Sequence, residues 1–101
     1  MNEKYRLIYV DIDGTICTNT NGDYKNAKPI VKNIVKINKL FEEGNTIIYW
    51  TARGTVTNID WTDVTKKQLK NWHAKHHELK MNSKPHYDLL ICDKTMRIEE
   101  I

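Results

Sequence analysis

The run from Tyr5 to Thr15, Y-R-L-I-Y-V-D-I-D-G-T, constrains this chain more than any other stretch. Its first half is a nearly continuous apolar segment with β-branched members, the pattern of a strand buried on both faces. It then stops abruptly in two carboxylates, a glycine and a hydroxyl. Asp11 and Asp13 sit two apart, so an extended backbone projects them the same way and brings two negative charges close together. Like charges held that close are costly unless a cation or a proton lies between them.

Two later runs repeat the design. T-I-I-Y-W-T-A-R-G is a short apolar segment followed by a hydroxyl, an arginine and a glycine, so Thr51 lies at a strand's carboxyl end as Asp11 does. The last run, Y-D-L-L-I-C, ends in Asp93 and Lys94. Between these segments lie helical patterns. Pro29 opens the first, in which Ile30, Ile34, Ile37 and Phe41, with Val31 and Val35 beside them, recur at helical spacing until Gly44 closes it. Asp60 or Thr62 caps the second, which carries Trp61, Val64, Leu69, Trp72 and His76 on one side. Residues 16–27 are polar, and their N-G-D reads as a tight turn between two short extended arms, a hairpin flap above the first strand. His77 to Met81 has room for a brief extended segment.

Strand, helix, strand, helix, strand alternation specifies an α/β domain with a parallel sheet and right-handed crossovers. A chain of 101 residues is expected to form one such domain, 1–101, at the small end of the range in which a single core is stable. Apolar residues at 40% and charged residues at 29% exclude a disordered or membrane-embedded chain. No apolar run is long enough to span a bilayer, and the N-terminus lacks the apolar core and cleavage site of a signal peptide, so a cytoplasmic location is expected. Cys17 and Cys92 match no metal-ligand spacing and are read as reduced thiols. The net charge of +3 comes from lysines scattered over helix faces, which permits an anionic ligand without calling for nucleic acid.

In open α/β sheets ligands bind outside the carboxyl ends of the strands, where Asp11, Thr51 and Asp93 all fall. Three carboxylates without a His or Cys ligand pattern favour a hard cation, and Mg²⁺ held by Asp11, Asp13 and Asp93 fits best. A phosphorylated substrate would account for the rest. Thr51 and Lys84 are suited to its oxygens, as are the backbone N–H groups of the turn after Asp11. Asp11 would attack phosphorus to give an aspartyl-phosphate, while Asp13 protonates the leaving oxygen and later activates water.

These residues resemble a known family. D-I-D-G-T at 11–15 looks like the first motif of the haloacid dehalogenase (HAD) superfamily, whose phosphatases use the first aspartate as nucleophile and the aspartate two residues on as acid/base. Thr51, with Ala52 beside it, resembles the second, phosphate-binding motif, Lys84 the third and Asp93 the metal-binding acid of the fourth. The resemblance implies a minimal Rossmann-like fold without a cap domain. More narrowly, D-I-D-G-T-I-C, G-D-Y-K-N-A-K-P, Y-W-T-A-R-G, H-H-E-L and S-K-P-H-Y-D-L-L-I-C-D-K are similar to small capless members described as capsule or polysaccharide biosynthesis phosphatases, which implies a phosphorylated sugar or related small metabolite as substrate. Many relatives carry two adjacent acids before the motif-four lysine, where this chain has Cys92 and Asp93.

Arg53 has two readings: its fork suits a substrate phosphate or carboxylate, and it equally suits pairing with a nearby acid to fix the loop, the reading favoured here. His73, His76, His77 and His86 lack zinc spacing. Trp50, Trp61 and Trp72 read as core or subunit contacts. A small core with an open cleft also makes a homo-oligomer an expectation. Two rivals stand beside the metabolite phosphatase: a phosphatase of polynucleotide 3′ ends, and a catalytically idle scaffold that binds a phosphorylated ligand.

Overall fold

A computed structural model describes residues 6–55, 57–81 and 89–91, the side chains of 89 and 90 excepted. It contains four strands, β1 (Leu7–Asp11), β2 (Thr46–Thr51), β3 (Glu78–Met81) and β4 (Leu89–Ile91), and two α-helices, α1 (Val31–Glu42) and α2 (Thr62–Asn71). All pairings are parallel, in the order β3-β2-β1-β4. The α/β sheet with flanking helices is therefore present, and the extended segment before residue 82 is a full edge strand.

The register decides which side chains share a face. Ile8 pairs with Ile47, and Val10 with both Tyr49 and Ile91, so these five lie on one side of the sheet. Ile34 and Ile37 of α1 and Leu69 of α2 join the same buried cluster. The chain moves from β1 to β2 to β3 in one direction, and right-handed crossovers then place both helices over one face. Burial of a side chain such as Ile37, which is 0% exposed, stabilises by about 2 kcal/mol relative to leaving it in water. Tyr9 and Ile48, on the opposite face, are buried as well.

α1 departs from its sequence reading at its start. It begins at Val31 because the N–H of Ile30 is bound to the Ile16 carbonyl at 2.8 Å, which keeps residue 30 with the flap. Val31 and Val35 are 64% and 59% exposed; the core-facing stripe is Ile34 and Ile37, with Leu40 and Phe41 packed against it. The end is as read: Gly44 at φ 105° and Asn45 donate to the carbonyls of Phe41 and Leu40, a Schellman closure. α2 closes with the same pattern, His73 and Ala74 donating to Lys70 and Leu69, but the left-handed position is held by His73 at φ 55°. That closure stops α2 before His76, whose ring instead meets Tyr49 edge-on at 5.4 Å. At its other end the N-cap position is Trp61, which makes no side-chain capping bond; Asp60, one residue earlier, accepts from the N–H of Thr62 at 3.0 Å, and hydrogen bonding to the side chain and N–H of Thr62 holds its carboxyl below the usual range.

The flap is a paired loop whose contacts run past residue 27. Cys17 bridges Pro29 antiparallel, and the N–H groups of Thr18 and Lys28 bind the Lys28 carbonyl and the Thr18 hydroxyl, each at 2.9 Å. Asn21 and Gly22 turn the chain at φ 54° and 98°. The returning arm is interrupted by a 3₁₀ turn, Tyr24–Asn26.

Candidate active site

The chain travels from β1 toward β3 on one side and returns to β4 on the other, so the order of the sheet reverses at β1. Crevices that bind ligands form at such reversals, outside the carboxyl ends of the strands. β1 ends there in Asp11, opposite Trp50, and β2 runs one residue further to Thr51. The structure thus brings Asp11, Asp13, Thr51, Ala52 and Arg53 to one edge; Lys84, Cys92 and Asp93 lie outside the described residues.

Beyond Asp11 the backbone closes on itself. Asp11 Oδ1 accepts from the N–H of Ile12 at 2.8 Å. Thr15 and Ile16 both donate to the Ile12 carbonyl, at 3.1 and 3.0 Å, and Gly14 donates to the Cys17 carbonyl at 2.9 Å. Asn33 of α1 donates its side-chain amide to the Thr15 carbonyl at 2.8 Å and fastens the turn to the helix. The amides of residues 12, 14, 15 and 16 therefore already have acceptors within the chain.

Thr51 is 1% exposed, and its Oγ1 accepts from the backbone N–H of Arg53 at 3.1 Å, leaving the hydroxyl proton to donate. Ala52 is exposed, and its carbonyl is held by the N–H and hydroxyl of Thr55 at 3.0 and 2.7 Å. The next residues fold tightly: Gly54, at φ 89°, receives the N–H of Asn58 on its carbonyl at 2.9 Å. A Cβ at Gly54 would lie 2.2 Å from the Ile59 carbonyl oxygen, so only glycine fits.

Arg53 is the largest of the fully buried side chains. Its Nε and Nη2 donate to Asp13 Oδ2 and Oδ1 at 3.0 and 2.8 Å, a two-pronged pair. Nη2 also points to the sulfur of Cys17 at 3.7 Å. Nη1 donates to Thr65 Oγ1 at 3.0 Å and Gln68 Oε1 at 2.6 Å. The carbon of the guanidinium stands 4.7 Å above the ring of Tyr24 in the flap. A guanidinium has five N–H donors, and all are engaged, so none remains for a ligand. Of the two readings of Arg53, the pairing with an acid is the arrangement found.

Cys17 packs between these groups, its Sγ 3.6 Å from Asp13 Oδ1. Burial, reinforced by the Asp13 charge, pushes its thiol up to about 12. It is therefore a neutral thiol, neither a nucleophile nor a ready metal ligand.

Gln68 and Thr65 had no place in the sequence reading of the site. A signal existed: in T-D-V-T-K-K-Q-L-K-N the lysines fall on one side, while Thr65 and Gln68, three apart and next to Leu69, fall on the side that turns inward. Polar residues on an inward stripe imply a buried partner. Arg53 is that partner.

No family model matches the chain, and no curated protein sequence matches it significantly. Solved structures do. A crystal structure of a target protein from Vibrio cholerae superposes with a TM-score of 0.69 at 23% identity, covering 78% of this chain and 72% of that one. A chain of the Pnkp1/Rnl/Hen1 complex superposes with a TM-score of 0.63 at 13% identity, covering 77% of this chain but 28% of the other. Both likenesses establish the α/β fold.

Proposed function

We propose that the protein is a HAD-type phosphatase that hydrolyses a small phosphorylated metabolite, a sugar phosphate of polysaccharide biosynthesis being the substrate class that its motifs suggest. The observation that carries this reading is the placement of Asp11 and Asp13 at the carboxyl end of the strand where the sheet order reverses, beside the hydroxyl of Thr51. Asp11 Oδ attacks phosphorus and the bond to the ester oxygen breaks. The Asp13 carboxyl gives its proton to that oxygen. In the second half the Asp13 carboxylate takes a proton from water, the water oxygen attacks phosphorus, and the bond to Asp11 breaks to release phosphate. Thr51, Ala52 and Lys84 hold the phosphate oxygens throughout.

The donors at this edge suit Mg²⁺: hard carboxylate oxygens, with Cys17, the nearby sulfur among the described residues, a neutral thiol. Among the described residues no group of three or more acidic, His or Cys side chains forms a cation site, so the set closes only with Asp93. Because both oxygens of Asp13 lie in the Arg53 fork, Asp11 and Asp93 would be the principal ligands. When bound, the ion neutralises charge on the transferring phosphoryl group.

The test is hydrolysis of phosphorylated sugars, nucleotides and a 3′-phosphorylated oligonucleotide, with Mg²⁺ and with chelator. Mg²⁺-dependent turnover of small esters, reduced more than about 10⁴-fold in Asp11→Asn with the fold intact, is expected. Retained turnover in that variant sinks the nucleophile assignment. Preference for the oligonucleotide, weakening with salt, would replace the metabolite by a polynucleotide end. No turnover of any ester would leave the idle scaffold.

A further inference from the structure

The Arg53 cluster joins the proposed acid/base to a part of the chain that touches no reacting atom. Gln68 on α2 uses both ends of its amide: Oε1 accepts from Arg53 Nη1 at 2.6 Å, and Nε2 donates to the Tyr24 carbonyl in the flap at 2.6 Å. Those two bonds fix which way the amide points, since reversing it would set donor against donor and acceptor against acceptor. The Tyr24 ring lies under the guanidinium and meets Trp61 edge-on at 5.1 Å. Thr65 passes a hydrogen bond onward, accepting from Arg53 and donating to the Trp61 carbonyl at 2.8 Å. The plane of the guanidinium is thus set by α2 and the flap, and the guanidinium in turn sets the plane of the Asp13 carboxylate.

We infer that Gln68 is a positioning residue for Asp13, acting through Arg53, and that it couples the seat of the flap at Tyr24 to the orientation of the acid/base. This rests on the phosphatase reading of Asp13. A bidentate pair tolerates little rotation, so a tilt of the fork turns both carboxylate oxygens at once. A misdirected Asp13 delivers its proton to the leaving oxygen poorly. Phosphorus attack by Asp11 is untouched by that tilt. The coupling therefore has a chemical signature: it matters for alkyl esters, whose leaving oxygen needs a proton, and much less for aryl esters, whose leaving group departs as a stabilised anion.

The isosteric change Gln68→Met removes both amide bonds while keeping the volume, and is tested on p-nitrophenyl phosphate and on a hexose phosphate. General acid catalysis contributes on the order of 10²–10⁴-fold. The expected result is a fall in kcat of about 100-fold on the hexose phosphate and less than about tenfold on the aryl ester, with KM changed little on either. Equal losses on both esters would reduce Gln68 to a structural role and overturn the proposal. A second readout does not need turnover: the Arg53 Nε–H, which the buried ion pair is expected to protect from exchange in the parent protein, should exchange at least about tenfold faster in Gln68→Met. Unchanged protection overturns the coupling. A parent protein inactive on every ester, with the exchange effect present, would overturn the phosphatase reading and with it the positioning role of Gln68 in the reaction, while the link from flap to Arg53 stands.

Discussion

The loops that follow β1 and β2 start from the same design, an apolar strand ending in polar side chains and a glycine, and are built in opposite ways. The first is buried: Ile12, Thr15, Ile16 and Cys17 are each 0% exposed, and the amides of Gly14, Thr15 and Ile16 are taken by the loop's own carbonyls. The second is open, with Ala52, Thr55 and residues 57–60 exposed. Among its described residues only Arg53 and Gly54 turn inward. The lesson is a division of labour. The β1 loop fixes the Asp11 carboxylate through the Ile12 amide, and the β2 loop sends a single side chain across to hold that of Asp13.

That comparison breaks first at Arg53. Replacement by Met leaves Asp13 without its ion pair and strands the acceptors on Thr65 and Gln68, and a loss of about 3–5 kcal/mol is expected in urea unfolding. A loss below about 1 kcal/mol would mean that the β1 loop holds Asp13 unaided. Next come two glycines, one in the open loop and one in the flap. Gly54→Ala meets the Ile59 carbonyl as well as the backbone penalty of a positive φ and should cost about 2–3 kcal/mol. Gly22→Ala, at φ 98° with nothing within 4 Å, carries the backbone penalty alone, about 1 kcal/mol. Equal costs would show that the β2 loop yields around the added methyl.

The last probe, read only at alkaline pH, reaches the interior of the β1 loop. Cys17 is raised from 9.0 to about 12 by burial, so its native form keeps the proton where the unfolded chain loses it. Its share of stability is fully present below pH about 9 and declines above it, by up to about 1.4 kcal/mol per pH unit, until the native thiol itself ionises near 12. Burial likewise raises Tyr49, which adds a second decline above its ordinary value of 10.0. In Cys17→Ala the first decline should vanish, moving the alkaline onset of unfolding from about pH 9 toward 10. An unchanged onset would show that the thiol is not sealed in this loop.

The α/β alternation, both strand ends and the stop at Gly44 were legible because each is punctuated by residue types with few alternatives. β3 was half legible, since an edge strand is buried on fewer sides and E-L-K-M carries no continuous apolar run. Val31 and Val35 misled because the apolar stripe of α1 is narrower than its apolar content, and nothing local says which valine faces the sheet. Arg53 could not be decided from its own neighbourhood: a fork suits phosphate and carboxylate alike. The choice is made by Gln68, Thr65 and Tyr24, which no local spacing relates to Asp13. His76 left α2 because a histidine took the left-handed position that glycine takes after α1.

The strand order carries a consequence for how the molecule comes into being. β1 pairs with β2 through Leu7 and Thr46, but its other side pairs with β4, Ile8 meeting Leu89. Closing so long a stretch of chain carries a large entropic cost, and parallel sheets built from such distant partners are slow to assemble. During synthesis, which runs from the N-terminus, β1 leaves the ribosome before both of its partners and keeps one bare edge until Leu89–Ile91 follow. The strand that bears Asp11 is thus made before both of its partners and enclosed only when the second arrives, so Asp11 reaches its final surroundings only when the sheet is finished.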